Sequence, residues 1–139
     1  MNTEQKKPPQ QFLKGEGLVL VVDDEPIMRK IALNVLKSCG YDVIAVENGF
    51  KALEIFEKHH PDIKLVLLDL LMPKKDGKET YLEMRQIRPD VNVILVSGAK
   101  RDTRIKELLK LGVSGYIEKP YTFFRLSRLV HKLIYKKDK

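Results

Sequence analysis

The chain has 139 residues, 43% hydrophobic and 32% charged, enough for one domain with a proper core and too few for two. No apolar run approaches the roughly 20 residues of a membrane-spanning helix, and Met1 to Gln10 lacks the apolar centre of a signal peptide, so a cytoplasmic protein without a membrane span is expected. Much of the excess behind the formal net charge of +7 lies in the closing segment (Arg125, Arg128, Lys132, Lys136, Lys137, Lys139); with no aromatic stacking platform or nucleic-acid motif beside it, it reads as a solvated helix face and argues against direct nucleic-acid binding.

Residues 1–16 are polar and contain Pro and Gly, the composition of a disordered leader. The folded domain is expected over 17–135, with 136–139 as a basic tail. Leu18-Val19-Leu20-Val21-Val22 is the first buried strand and runs into Asp23-Asp24-Glu25. Pro26 then suits a first helical position, where its missing N–H costs nothing. Met28, Ile31, Ala32, Val35, Leu36 and Cys39 follow at helical spacing until Gly40 stops the helix. Cys39 is the only cysteine; it cannot form an internal disulfide and reads as a space-filling helix residue.

Tyr41 to Val46 is a second strand whose apolar run is broken early by Asp42, as suits an edge. Asn48-Gly49 is a turn, and a helix with Ala52, Ile55 and Phe56 runs to His59-His60-Pro61. The paired histidines suit a helix C-terminus, where the dipole favours positive charge, better than a metal site without acidic or Cys partners nearby. Then Leu65 to Leu68, four consecutive apolar residues, lead directly into Asp69. Such a run reads as a strand buried on both faces. Pro73-Lys74-Lys75-Asp76-Gly77 is a loop whose lysines are expected to be solvated. It opens a helix with Thr80, Tyr81, Met84 and Ile87 on one side, closed by Pro89. Val91 to Val96 is a fourth strand landing on Ser97-Gly98-Ala99. Ile105, Leu108 and Leu109 mark a short helix ended by Gly112. Val113 to Ile117 is a fifth strand running into Glu118-Lys119-Pro120, and the last helix carries Phe123, Leu126, Val130, Leu133 and Ile134. His131 on that helix reads as a surface residue.

Strand and helix alternate throughout without internal repeats, which implies βαβ units and a parallel sheet covered on both faces, the α/β class. In a parallel sheet all strand ends face one rim, where ligands bind. That rim would collect Asp23 and Asp24 from the first strand, Asp69 from the third, Ser97 from the fourth and Lys119 from the fifth. Glu47, after the second strand, is too lateral to join them. Taken alone, Asp23-Asp24 would cap a helix and Ser97-Gly98 would form a turn; their convergence on a buried Asp is what points to chemistry. Three carboxylates in one crevice repel unless a hard divalent cation such as Mg²⁺ neutralises them. A metal, a hydroxyl and an amine around one buried carboxylate make a phosphoryl-transfer site, with Asp69 attacking in line to give an aspartyl phosphate.

Val21-Val22-Asp23-Asp24-Glu25, Leu67-Leu68-Asp69-Leu70-Leu71-Met72-Pro73, Val96-Ser97-Gly98 and Tyr116-Ile117-Glu118-Lys119-Pro120 resemble, in order and spacing, the motifs of response-regulator receiver domains, the CheY-like superfamily. The resemblance spans roughly Gly17 to Ile134. It implies a doubly wound five-stranded parallel sheet of order 2-1-3-4-5, a flavodoxin-like three-layer sandwich. It further implies that Asp69 is the phosphoacceptor, charged by a histidine kinase or a histidine phosphotransfer protein. Asp24 and Asp69 would bind Mg²⁺ directly with the main-chain oxygen of Leu71, and Asp23 would act mainly through a metal-bound water. Ser97 would hydrogen-bond the new phosphoryl oxygen, Tyr116 would swing inward behind it, and Lys119 would pair with the phosphoryl group. Pro120 matches a Lys-Pro bond that is often cis in the family.

Leu71 and Ala99 stand two residues after the acceptor and the hydroxyl, positions that influence phosphoryl lifetime in the family. Apolar groups at both would not activate the attacking water, so self-dephosphorylation is expected to be slow. The face built from the fourth helix, fifth strand and fifth helix (Ile105 to Leu111, Tyr116, Phe124 to Ile134) is where the resemblance places the downstream protein partner, with a phosphorylation-dependent dimer as one form of output. The chain ends soon after its last helix, so no output domain is expected within it. A free-standing protein and the receiver of a hybrid histidine kinase both remain open.

An Asp-nucleophile phosphatase or phosphotransferase is the competing reading. The haloacid-dehalogenase type requires a second Asp two residues on, where this chain has Leu71, and a cap domain, which is not expected within these 139 residues. A nucleotide-binding domain would need a Gly-rich turn after the first strand, where Asp-Asp-Glu stands instead.

Overall fold

Five strands and five helices alternate along the chain in a computed structural model that describes residues 14–98 and 102–135. Most of the expected leader, the basic tail at 136–139, and Ala99 lie outside the described residues. The elements are β1 (Leu18–Val22), α1 (Pro26–Ser38), β2 (Asp42–Val46), α2 (Gly49–His59), β3 (Ile63–Asp69), α3 (Gly77–Ile87), β4 (Val93–Ser97), α4 (Thr103–Leu111), β5 (Gly115–Glu118) and α5 (Phe123–Tyr135). All pairings are parallel, in the order β2-β1-β3-β4-β5. The expected α/β sandwich is thus the observed one, with β2 at an edge.

The unbroken apolar runs of β1, β3 and β4 serve two layers at once. Successive side chains point to opposite faces of a strand. Leu20, Val22, Val66, Leu68, Val93 and Leu95 meet Phe56, Tyr81, Met84 and Leu108 from α2, α3 and α4. Val19, Val21, Leu65, Leu67, Ile94 and Val96 meet Ala32, Leu36, Leu126 and Val130 from α1 and α5, with Cys39 filling space at the margin. At roughly 1.5–3 kcal/mol for each large side chain buried, this double core outweighs the cost of holding a carboxylate at the sheet's edge.

Several apolar residues expected to begin strands belong to helix ends instead. Gly40 (φ 105°) and Gly112 (φ 120°) take the left-handed conformation. The next residue in each case folds back on the helix: Tyr41 N donates to Leu36 O (3.1 Å) and Val113 N to Leu108 O (3.1 Å). This is the Schellman pattern, in which the residue after the glycine is apolar because it packs on the helix it closes. Tyr41 and Val113 are accordingly buried but lie outside β2 and β5. Val91 N likewise donates to Arg88 O (3.0 Å), and β4 starts two residues later.

Candidate functional site

β1 and β3 are neighbours although β2 separates them in the chain. The connections therefore leave on opposite sides of the sheet and open a crevice at their carboxyl ends. Val22 pairs with Leu68 and Asp69 with Val96, which brings Asp23, Asp24 and Asp69 to that crevice. Asp69 closes a strand whose next residue, Leu70, is fully buried, and Leu70 N donates to Val96 O (2.8 Å). Asp69 and Asp23 are only 3% and 4% exposed, whereas Asp24 is half-buried. Each of the three offers a carboxylate oxygen within 4.8 Å of the others'.

Lys119 reaches this cluster from the end of β5. Ser97 pairs with Glu118, and Lys119 N donates to Ser97 O (2.8 Å), so β4 fixes where the lysine departs. The Lys119–Pro120 peptide bond is cis. Lys119 Nζ lies 3.2 Å from Asp69 Oδ2, 3.2 Å from Asp23 Oδ2 and 2.6 Å from Glu25 Oε1. Asp23 Oδ1 also accepts from Glu25 N (2.9 Å), and Asp23 O accepts from Arg29 Nη1 (2.7 Å). Asp69 Oδ1 accepts a long bond from Leu71 N (3.4 Å).

Electrostatics follow from this geometry. Burial, reinforced by the Asp23 charge and opposed by Lys119, pushes the Asp69 carboxyl up to about 7. Burial works against the Lys119 charge, but Glu25, Asp69 and Asp23 outweigh it and hold the ammonium above the ordinary lysine range. Burial and the Asp23 charge push the Tyr121 phenol up to about 12. One cation therefore faces three acidic partners. A desolvated carboxylate among like charges favours a hard cation with oxygen ligands, and this donor set fits Mg²⁺ in chemistry.

The structure brings together Asp23, Asp24, Asp69 and Lys119, and it puts Ser97 (2% exposed) at the end of the adjacent strand. Glu47 pairs with Lys51 (2.7 Å) outside the cluster. Tyr116 is 44% exposed on β5 and points outward; Leu71 is 61% exposed. The lysines after β3 were expected in solvent, yet the Lys75 side chain is largely covered. It pairs with Glu83 and lies over the Phe50 ring.

Sequence reasoning missed two contributors. Glu25 was read only as part of an acidic run, and nothing in one sequence signals that it meets a lysine 94 residues away. Gly77 was read as a loop residue, but a Cβ there would lie 2.6 Å from Asp69 O and 2.7 Å from Leu70 Cα. Its signal was the Asp76-Gly77 pair opening a helix, where Asp76 caps by accepting from Glu79 N (2.9 Å).

Comparison with known proteins agrees with this geometry. The sequence model of the response regulator receiver domain matches residues 19–131. The chain is 31% identical over 117 residues to the chemotaxis protein CheY of Bacillus subtilis, covering 84% of this chain and 96% of that protein. It is 33% identical over 126 residues to the sensor kinase CckA of Brucella abortus, covering 91% of this chain but 13% of the kinase. Among solved structures, the CheX-CheY-BeF3-Mg+2 complex from Borrelia burgdorferi superposes with a TM-score of 0.81 at 27% identity, covering 86% of this chain and 90% of that chain. A buried aspartate at the switch point, flanked by acids and a lysine from three strand ends, thus sits where sequence and fold agree: the chain belongs to the response regulator receiver domain family, the receivers of two-component signalling.

Proposed function

We propose that Asp69 is the phosphoacceptor, charged from the phosphoimidazole of a histidine kinase or histidine phosphotransfer protein. The observation that carries this reading is the Lys119 ammonium 3.2 Å from the buried Asp69 carboxylate, with Asp23 and Asp24 beside it. Asp23, Asp24, Asp69 and the main-chain oxygen of Leu71 would hold Mg²⁺, which when bound neutralises charge on the phosphoryl oxygens. An Asp69 carboxylate oxygen attacks phosphorus in line, the P–N bond breaks, and its electron pair returns to the departing imidazole. Lys119 exchanges its carboxylate partners for a phosphoryl oxygen, and Ser97 donates its hydroxyl to another. The low-dielectric setting strengthens both contacts.

The new dianion binds one arrangement of Ser97 and Tyr116 better than the other, and so shifts an existing equilibrium. On this reading Tyr116 moves from its exposed position inward, and the α4–β5–α5 face carries the signal to a downstream protein. The domain acts in the cytoplasm as a switch without a turnover reaction. The described residues include no helix long and apolar enough to cross a membrane. The Borrelia burgdorferi CheY complex, with its BeF3 and Mg+2, supports both the anion and the metal. The similarity to a sensor kinase supports a place in kinase-linked signalling.

Incubation with acetyl phosphate and Mg²⁺, followed by intact mass and phosphate release, tests the reading. One adduct per chain, absent in Asp69→Asn, is expected. Sustained release of phosphate over many turnovers would instead mark an Asp-nucleophile phosphatase.

A further inference from the structure

The loop that joins Asp69 to α3 is fastened from outside the acidic crevice. Its ends meet where Gly77 N donates to Leu70 O (3.0 Å). Between them Leu71 is exposed, Met72 is buried, and Pro73 and Lys74 are exposed again. The Leu71 side chain therefore does little to fix its own peptide, which depends on how the rest of the loop is held. Lys75 supplies a hold. Its side chain is only 14% exposed, although it carries a charge in a surface loop. It pairs with Glu83, farther along α3, and lies over the Phe50 ring, 5.2 Å from the centroid. The first turn of α2 forms the bed for this loop: a Cβ on Gly49 would lie 3.1 Å from Lys75 O and 2.2 Å from Thr80 Oγ1.

Stability does not account for the arrangement. Covering a lysine removes hydration from its charge and freedom from a rotamer-rich side chain, and Lys74 beside it stays exposed. Phe50 is 57% exposed, so burying its ring is not its use. What the ring does is stand against an ammonium. The contact ties α2 to the loop that leaves Asp69, two segments that the chain order separates by the whole of β3.

We infer that Lys75 and Phe50 are positioning residues for the metal: they hold the β3–α3 loop against α2 so that the main-chain oxygen of Leu71 stays where Mg²⁺ requires it. The inference rests on the reading above that this oxygen is a ligand. Mg²⁺ demands near-ideal octahedral geometry, so a displaced oxygen lowers affinity, and groups that orient a ligand matter to a metal site nearly as much as the ligand does. The sign of the effect separates positioning from charge. By charge alone, removing a lysine from the loop beside an acidic crevice would tighten Mg²⁺ binding. As a positioning residue, its removal weakens binding.

The experiment measures Mg²⁺ affinity of the full, unmodified chain from the dependence of its melting temperature on Mg²⁺ concentration, with chelator as the zero point. Lys75→Ala and Phe50→Ala are each expected to weaken Mg²⁺ binding by about tenfold, the low end for groups that support a ligand. Phe50→Ala changes no charge and alters an exposed side chain, so it carries the test if Lys75→Ala folds poorly. Lys75→Arg and Phe50→Tyr keep the cation over a ring and should restore affinity. In labelling by acetyl phosphate, the Mg²⁺ concentration for half-maximal rate should rise by the same factor in the alanine variants, while the maximal rate falls by less than about twofold. Unchanged or tighter Mg²⁺ binding in both alanine variants overturns the inference, as does equal loss in Lys75→Arg and Phe50→Tyr. If the wild type takes up Mg²⁺ and is labelled but the variants behave alike, this inference alone falls. If the wild type shows no stabilisation by Mg²⁺ and no labelling, the phosphoacceptor reading falls and takes the inference with it.

Discussion

Lys119 Nζ lies 2.6 Å from the Oε1 of Glu25, closer than the 3.2 Å separating it from either buried aspartate. The amine at the heart of the site is thus shared with an exposed carboxylate at the pocket's mouth. An exposed ion pair contributes little, so Glu25→Gln should change stability by less than about 1 kcal/mol. It should nevertheless speed labelling by acetyl phosphate severalfold, because it frees Lys119 and removes a negative charge from the path of an anionic donor. Lys119→Ala should slow labelling by about two orders of magnitude. Stopped-time mass spectrometry checks both; slower labelling of Glu25→Gln would mean that Glu25 holds the lysine in its working position.

The raised pKa of Asp69 makes a prediction about pH. Folding favours the protonated form, so the contribution of Asp69 to stability is fully present below its ordinary value of 3.8 and is lost as pH rises to about 7. In chelator, Asp69→Asn should match the wild type at the acid end of that window. Above it, the variant should be more stable by on the order of 1–2 kcal/mol, after allowance for solvent screening at the pocket mouth. The raised pKa of Lys119 acts only in the alkaline range and does not enter this window. Added Mg²⁺ should reverse the order by stabilising the wild type more than the variant. Thermal melts across pH, with and without Mg²⁺, read this out; a constant difference between the two proteins contradicts it.

Two glycines near the rim should respond oppositely to alanine. A Cβ on Gly77 meets backbone atoms of Asp69 and Leu70 at 2.6 and 2.7 Å, whereas one on Gly98 meets nothing within 4 Å among the described residues. Gly77→Ala should cost about 1–3 kcal/mol and slow labelling by displacing the end of β3. Gly98→Ala should be neutral or slightly stabilising. Denaturant titration of both variants decides.

Leu71, 61% exposed just beyond β3, has no group that could orient water toward a phosphoryl on Asp69. The phosphorylated domain should therefore decay over minutes or longer, and Leu71→Asn should shorten its lifetime. Decay within a few seconds in the wild type contradicts this.

Much of this was legible in the sequence because burial and chemistry coincide on the central strands. The Leu18–Val22 run has apolar residues throughout and polar neighbours on both sides, and the strand has those bounds. Asp69 was legible because a charge directly after Leu65 to Leu68 has no structural use there. Strand starts after helices were not legible, since Tyr41 and Val113 are apolar for the sake of the helix they cap. Hydrophobicity is the same for both purposes. The partners of Glu25 and Lys75 were also beyond reach, because each is set by how two distant elements pack.

The central claim is that Asp69 itself carries the phosphoryl group. The most direct measurement is borohydride reduction after acetyl phosphate and Mg²⁺ treatment, which converts an aspartyl phosphate to homoserine, followed by peptide mass spectrometry. Conversion at Asp69 alone, and none without Mg²⁺, is the predicted result; conversion at Asp23, Asp24 or Glu25 with Asp69 intact would contradict the account.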